Sequence, residues 1–197
     1  MKLILASRSA TRRRMLEAAG VPFEAVSAGL DEDNAKAGLA AAGFGARDMA
    51  EMLAELKAKS VAAPTGTLVL GADQTLELDD GNMLSKPVSR EEALDQLRSL
   101  SGRSHWLHSA AVVVEDGERA WAATESVELA LRPLGEAFLQ DYLDREYEAV
   151  RWNVGGYRIE GLGAQLFERI DGSHFAILGL PLLALLAYLR ERGLLAT

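Results

Sequence analysis

The chain has 197 residues, 49% of them apolar, enough for one large domain with a sizeable core. A formal net charge of −8 excludes the broad basic face that general nucleic-acid binding needs. The absence of cysteine excludes disulfides, thiolate catalysis and cysteine-based zinc sites.

Leu3–Ala6 is predicted as a short buried strand. Thr11–Ala19 follows as a helix, ended by Gly20 with Pro22 just beyond. Residues 23–29 (FEAVSAG) read as a second strand, and 31–46 (DEDNAKAGLAAAGFGA) as a mobile loop rich in Gly and Ala. Residues 46–62 form a long helix, with Met49, Leu53, Leu56 and Ser60 at helical spacing and Met52 widening the apolar face. Residues 67–73 (TLVLGAD) are a buried strand and 79–82 (DDGN) a hairpin turn. The helix at 89–100 opens with a capping box, Ser89 followed three residues later by Glu92. Segments 106–115 and 119–131 make a long hairpin around Asp116-Gly117-Glu118. A helix is expected at 135–144, a second hairpin around Asp171-Gly172, and a last helix from about 182 to Gly193. The apolar run 175–189 is interrupted by Gly179 and Pro181, so it reads as a buried strand end plus a helix, not a membrane span. The N-terminus lacks signal-peptide features, and a cytosolic protein is expected. Early alternation of strands and helices, then hairpins, predicts one α/β domain over 1–197 with a mixed sheet and two lobes.

The first helix carries Arg12, Arg13 and Arg14 at its start, the wrong end for cations because they oppose the helix dipole. A bound polyanion would compensate: backbone N–H groups at the strand-to-helix turn, the Ser7 and Ser9 hydroxyls and the Arg12 and Arg13 guanidiniums would all converge on phosphate. The competing reading is a solvated basic face, which is where Arg14 belongs. Carboxylates also follow strands, in GLDED (29–33) and at Asp73 in VLGADQ. A carboxylate at a buried strand end is costly unless paired, hydrated or on a metal. With Lys57 and Lys86 nearby in sequence, these residues suit a phosphate site holding Mg²⁺. The alternative is structural: Asp73 caps a turn and Asp31 starts a loop. The chain contains no GxxxxGK[ST] motif, and no GxGxxG follows a strand. His105 and His108 fall on a strand, where i and i+3 face opposite sides, so they do not form a metal pair. His105 is expected to tether the loop after Ser101-Gly102. Trp152, near the GGY loop, is a candidate for stacking on a base, and Arg132 for a cleft carboxylate or the sheet edge.

These segments together resemble the Maf family of nucleoside triphosphate pyrophosphatases. LASRSATRRRML is similar to the family's LASxSPxRxxLL opening, LDED to its DE segment and LAELKA to its LAxxKA helix. GADQ…LSKP, LSGRSH, GGYRIEGLG and DGSHFAILGLPL match later signatures, in order, from Leu3 to about Leu183. The resemblance implies a mixed α/β fold like that of inosine triphosphate pyrophosphatases, two lobes around a central cleft. It implies a cytosolic, often dimeric hydrolase acting on acid anhydrides, dependent on Mg²⁺ or Mn²⁺, that converts a nucleoside triphosphate to the monophosphate and pyrophosphate. Carried over residue by residue, Asp73 is the catalytic acid/base or holds metal and water, and Glu32 helps with metal or water. Ser9, Arg12, Lys57 and Lys86 hold phosphates, and Thr11, Gln74 and Glu160 choose the base. GADQ and EGLG resemble the branch acting on 7-methyl-GTP, the other branch taking dTTP and UTP. Ala10 stands where the motif has Pro, Thr11 where the 7-methyl-GTP branch tends to have Trp, and Ser85 where the motif has Gly. Arg158 is a candidate partner for Glu160. The resemblance also admits a nucleotide-binding regulator of septum formation with little turnover, and an enzyme acting on ITP and XTP.

Overall fold

A computed structural model describes residues 1–196. In chain order the elements are β1 (Lys2–Ala6), α1 (Ala10–Ala18), β2 (Glu24–Val26), α2 (Glu32–Ala41), α3 (Ala46–Lys59), β3 (Thr67–Leu78), β4 (Met83–Leu84), α4 (Arg90–Leu100), β5 (Ser104–Glu115), β6 (Glu118–Leu131), α5 (Glu136–Val150), β7 (Phe167–Asp171), α6 (His174–Ile177) and α7 (Leu182–Glu191). Short 3₁₀ turns cover Val154–Gly156 and Gly161–Leu166. The strand order is β2-β1-β3-β5-β6-β7, with β4 paired to β3. The seven-stranded sheet is mixed: β1 is parallel to both β2 and β3, while β4 and β7 pair antiparallel to their neighbours. The chain divides into two compact units, the first made of Met1–Gln74, His108–Glu125 and the segment from Ser173 onward, the second of Thr75–Leu107 and Ser126–Gly172.

In the first unit the strands are apolar on both faces, as a parallel sheet covered by helices requires. Leu3 and Leu5 of β1, Leu68, Leu70 and Ala72 of β3, and Ala111 and Val113 of β5 pack with α1 and α7. The alternate residues Ile4, Ala6, Val69, Ala110, Val112 and Val114 face the stripe Ala50, Ala54 and Ala58 of α3. Small residues at i, i+4 and i+8 let α3 lie close, and Gly71 completes the approach. A Cβ built on Gly71 would stand 1.9 Å from the Ala54 carbonyl oxygen and 2.8 Å from the Ala58 nitrogen. Only glycine fits there.

In the second unit Ser89 caps α4 by accepting from the Glu92 N–H at 3.1 Å. The reciprocal bond of the capping box falls one residue early: Glu92 Oε2 accepts from Val88 N at 2.9 Å. The long hairpin turns at Asp116 (φ 52°) and Gly117 (φ 84°), both left-handed as a two-residue type I′ turn needs. His105 is fully buried, and it does not tether the loop after Gly102. Its Nε2 lies 2.6 Å from the Tyr157 hydroxyl. Its Nδ1 has no hydrogen-bond partner among the described residues. Burial pushes its pKa down to about 4.

Two predicted elements differ. Residues 31–46 are not a loop: Asp31 accepts from Asn34 N at 3.1 Å and starts α2, whose first turn carries Glu32 and Asp33. This helix buries no residue, so it shows no apolar stripe, and its four alanines supply helix propensity instead. Asp171-Gly172 does not turn a second hairpin. β7 pairs antiparallel with β6, and the chain after Gly172 (φ 137°) enters the helical turn α6. A short apolar run fits a buried helix turn as well as a strand. β3 and α5 also run further than predicted, to Leu78 and Val150.

Two glycines should respond oppositely to the same change. Gly71→Ala is expected to destabilise by about 3 kcal/mol, the upper end of overpacking costs. Gly38→Ala, mid-helix in α2 with open space around its Cβ, is expected to stabilise by roughly 0.5–1 kcal/mol; urea denaturation measures both. For His105 the folded pKa lies below the unfolded one, so the unfolded chain binds the proton first and stability falls as pH drops from about 6.5 toward 4. The wild type should lose about 2 kcal/mol between pH 7 and pH 5 that His105→Gln does not lose.

Candidate active site

The candidate site lies in the first unit, at the carboxyl end of β1, where its parallel pairing with β3 stops at Ala6 opposite Gly71 while β3 itself runs on past Asp73 to Leu78. Ligands of open α/β sheets bind at such ends. After β1 the chain turns tightly into α1. Ser7 is buried, and its Oγ accepts from the Ser9 N–H at 3.2 Å. Ser9 is the N-cap, accepting from Arg12 N at 3.3 Å. Both serines therefore build the turn while keeping a hydroxyl hydrogen to donate. The first N–H groups of α1 lack intrahelical acceptors and give the turn a positive potential.

Strand alternation sends Val69, Gly71 and Asp73 toward α3. Because α3 touches the backbone of β3, its Lys57 reaches the strand end. Lys57 Nζ lies 2.5 Å from Asp73 Oδ1 and 3.2 Å from Glu32 Oε2. Lys57 is 6% exposed and Asp73 5%. Asp73 Oδ2 is buried and has no hydrogen-bond partner among the described residues. Glu32 arrives from the first turn of α2, so the unpredicted helix positions a predicted residue. The structure thus brings together Glu32, Lys57 and Asp73.

Arg12 is where sequence reading and geometry part. Its guanidinium is buried, and it donates from Nε to the Gly179 carbonyl at 2.7 Å and from Nη1 to the Ala72 carbonyl at 2.9 Å. Burial lowers its pKa, and the charges of Asp73 and Glu32 work against that fall. Two of its donors go to backbone. Arg13 and Arg14 are exposed on α1, and Thr11 is half-buried in its first turn. Gln74, on the opposite face of β3 from Asp73, directs its amide at Ser109 Oγ (2.9 Å) and the carbonyls of Ala176 and Ile177 (both 3.0 Å). Ser109 itself donates to the Ala176 carbonyl at 2.6 Å. Sequence reasoning passed over Ser109; a hydroxyl in the middle of an apolar strand was its signal.

Lys86 and Glu160 belong to the second unit and are exposed. Arg158 pairs with Glu146 at 2.8 Å and not with Glu160. Arg132 holds the sheet edge, donating to the Gln165 carbonyl at 2.7 Å and lying 4.5 Å over the Phe138 ring. Trp152 is exposed, with the Arg151 guanidinium over it at 4.9 Å. His108 is buried and His174 exposed. Among the described residues, no group of three or more His, Asp or Glu side chains gathers as a metal site, and no helix is long and apolar enough to cross a membrane.

The fold and these contacts define a mixed α/β protein with a buried lysine–carboxylate pair between a helix and a central strand. Within that class the chain belongs to the Maf family, whose model, described as Maf-like protein, matches residues 2–192. It is 49% identical over 195 residues to a nucleoside triphosphate pyrophosphatase of Sphingopyxis alaskensis, covering 98% of each chain. It is 50% identical over 191 residues to a nucleoside triphosphate pyrophosphatase of Caulobacter vibrioides, covering 97% of this chain and 96% of that one. Among solved structures, a nucleoside-triphosphatase/dITP/XTP pyrophosphatase from Mycobacterium abscessus is 18% identical with a TM-score of 0.41, over 98% of this chain and 96% of that chain.

Removing one partner of the Lys57–Asp73 pair strands the other charge in the interior. Lys57→Met is expected to cost about 3–5 kcal/mol. Adding Asp73→Asn should recover part of that loss, because the buried Asp73 charge is then gone as well. Urea denaturation of both single variants and the double variant measures the coupling.

Proposed function

We propose that this chain is a nucleoside triphosphate pyrophosphatase. The observation that carries the reading is the buried Asp73 carboxylate, with one oxygen on Lys57 and the other unpartnered, beside the open turn of α1. A buried acceptor without a partner costs roughly 1–3 kcal/mol, and a group retained at that cost suits a ligand or reacting water. The names of relatives nearly half identical in sequence support the same class of reaction.

In this reading the triphosphate lies against the Ser7–Ser9 turn and the N–H groups of α1. Asp73 orients a water and takes its proton as the water oxygen attacks the α-phosphorus. The bond from that phosphorus to the bridging oxygen of the β-phosphate breaks, giving a nucleoside monophosphate and pyrophosphate. Lys57, 2.5 Å from Asp73 Oδ1, holds the carboxylate in place. The hard oxygens of Asp73 Oδ2 and Glu32 fit Mg²⁺ or Mn²⁺, which takes few protein carboxylates alongside substrate phosphates. Such an ion supplies neutralisation of charge on the phosphate oxygens. We carry 7-methyl-GTP and the pyrimidine nucleotides UTP, dTTP and CTP as candidate substrates, and a cytosolic homodimer as the working form. Arg13 keeps the phosphate role that its place in the first turn of α1 suggests, Lys86 the phosphate role and Thr11 and Glu160 the base-choosing roles that the family resemblance gives them.

The test is pyrophosphate release from a panel that includes 7-methyl-GTP, UTP, dTTP, CTP, 5-methyl-UTP, ITP and XTP. The wild type is expected to turn over at least one, and Asp73→Asn to fold while losing roughly two to four orders of magnitude in kcat. Tight nucleotide binding with no pyrophosphate released would favour a regulator over an enzyme.

A further inference from the structure

The residues on either side of Asp73 are tied to one short segment. Ala72 gives its carbonyl to Arg12, which also holds Gly179. Gln74 holds Ala176 and Ile177, and Ser109 holds Ala176 again. The turn from 176 to 179 is therefore clamped to β3 immediately before and immediately after the carboxylate. All these groups lie in the first unit. Strand alternation explains the division of labour. Asp73 faces α3, while Gln74 points to the other face, where Ser109 and the 176–179 turn lie.

The donors involved are held. Arg12 is buried, and a Cβ on Gly179 would come within 3.2–3.3 Å of its Nε and Nη2, so the guanidinium has a fixed seat against that residue. Gly179 itself has φ 97°, a conformation that favours glycine. Gln74 offers two amide hydrogens to three acceptors. Both side chains are thus held before any nucleotide arrives, Arg12 by two of its five donors and Gln74 by its amide nitrogen.

We propose that Arg12, Gln74 and Ser109 are positioning residues, which pin the 176–179 turn to β3 on both sides of Asp73 and so fix the carboxylate's register against Lys57. This deepens the pyrophosphatase reading and rests on it for its kinetic test. It gives Arg12 and Gln74 work different from phosphate binding and base choice.

The experiment compares Arg12→Lys, Gln74→Glu and Ser109→Ala with wild type, each checked for folding by near-UV circular dichroism. Gln74→Glu keeps volume but turns acceptor oxygens toward two carbonyls. Arg12→Lys keeps charge but loses the two-point fork. Misplacement of a reacting group by about an ångström costs up to roughly 10²-fold. Gln74→Glu and Arg12→Lys are therefore expected to lose about 10- to 100-fold in kcat with KM within twofold, and by the same factor for every nucleotide turned over. Ser109→Ala should lose less, in the same pattern. A changed base preference in Gln74→Glu, or a raised KM with kcat kept in Arg12→Lys, would overturn the proposal. Amide hydrogen exchange reads the clamp without turnover. Exchange at Gly179 and Leu180 should speed up in Gln74→Glu and Arg12→Lys, and unchanged exchange would overturn the clamp. A wild type that releases no pyrophosphate would defeat the pyrophosphatase reading alone, with exchange still deciding the clamp.

Discussion

Helix α3 rests on β3 at a point where backbone meets backbone, and the chemistry of the first unit depends on that contact. Any side chain at position 71 would lift the helix off the strand. Lys57, one turn along from Ala54, would then fall short of Asp73. The alanine stripe of α3, the glycine of β3 and the buried ion pair are thus one feature at three levels: small residues permit proximity, and proximity permits a lysine to reach a strand end. A buried ion pair contributes little net stability, since desolvation offsets attraction. Its value lies in holding a charged carboxylate where water is scarce.

The sheet sorts functions by parity. In β3 the residues 69 and 71 face α3 on the side that carries the Asp73 carboxylate; 68, 70 and 72 face α1 and α7 on the side that carries the Gln74 amide. In β5 the same alternation puts Ser109 with Gln74. A slip of one residue in pairing would exchange the faces, placing Asp73 among apolar side chains and Gln74 against α3. The long apolar runs therefore do more than fill a core. They fix which side of the strand carries charge.

Much of this was legible in the sequence, for reasons that can be stated. Strands β1 and β3 announced themselves as apolar runs, α3 and α4 by periodicity and capping, and the hairpin at Asp116-Gly117 by its turn residues. Asp73, Lys57 and Glu32 were legible as types whose burial would need partners. What stayed hidden has a common cause. Helix α2 buries nothing, so no periodicity marked it, and its propensity came from alanine alone. The partners of Arg12 lie 60 and 167 residues away, and those of Gln74 35, 102 and 103. Carbonyl acceptors carry no residue identity, so a sequence names the donor and conceals what it donates to.

The arginine run shows the consequence. A cation in the first turn of a helix opposes the dipole, and in an acidic protein three of them invite a polyanion as the remedy. For Arg12 the remedy is internal. Two carbonyl dipoles, from Ala72 and Gly179, meet the guanidinium, and the negative charges of Asp73 and Glu32 oppose the lowering of its pKa by burial. Arg13 and Arg14, exposed on the same helix, are solvated instead. Arg12 is thereby anchored to two separate segments. In the proposed reading that anchorage stiffens the first turn of α1, whose N–H groups would meet phosphate and cannot re-aim as side chains do.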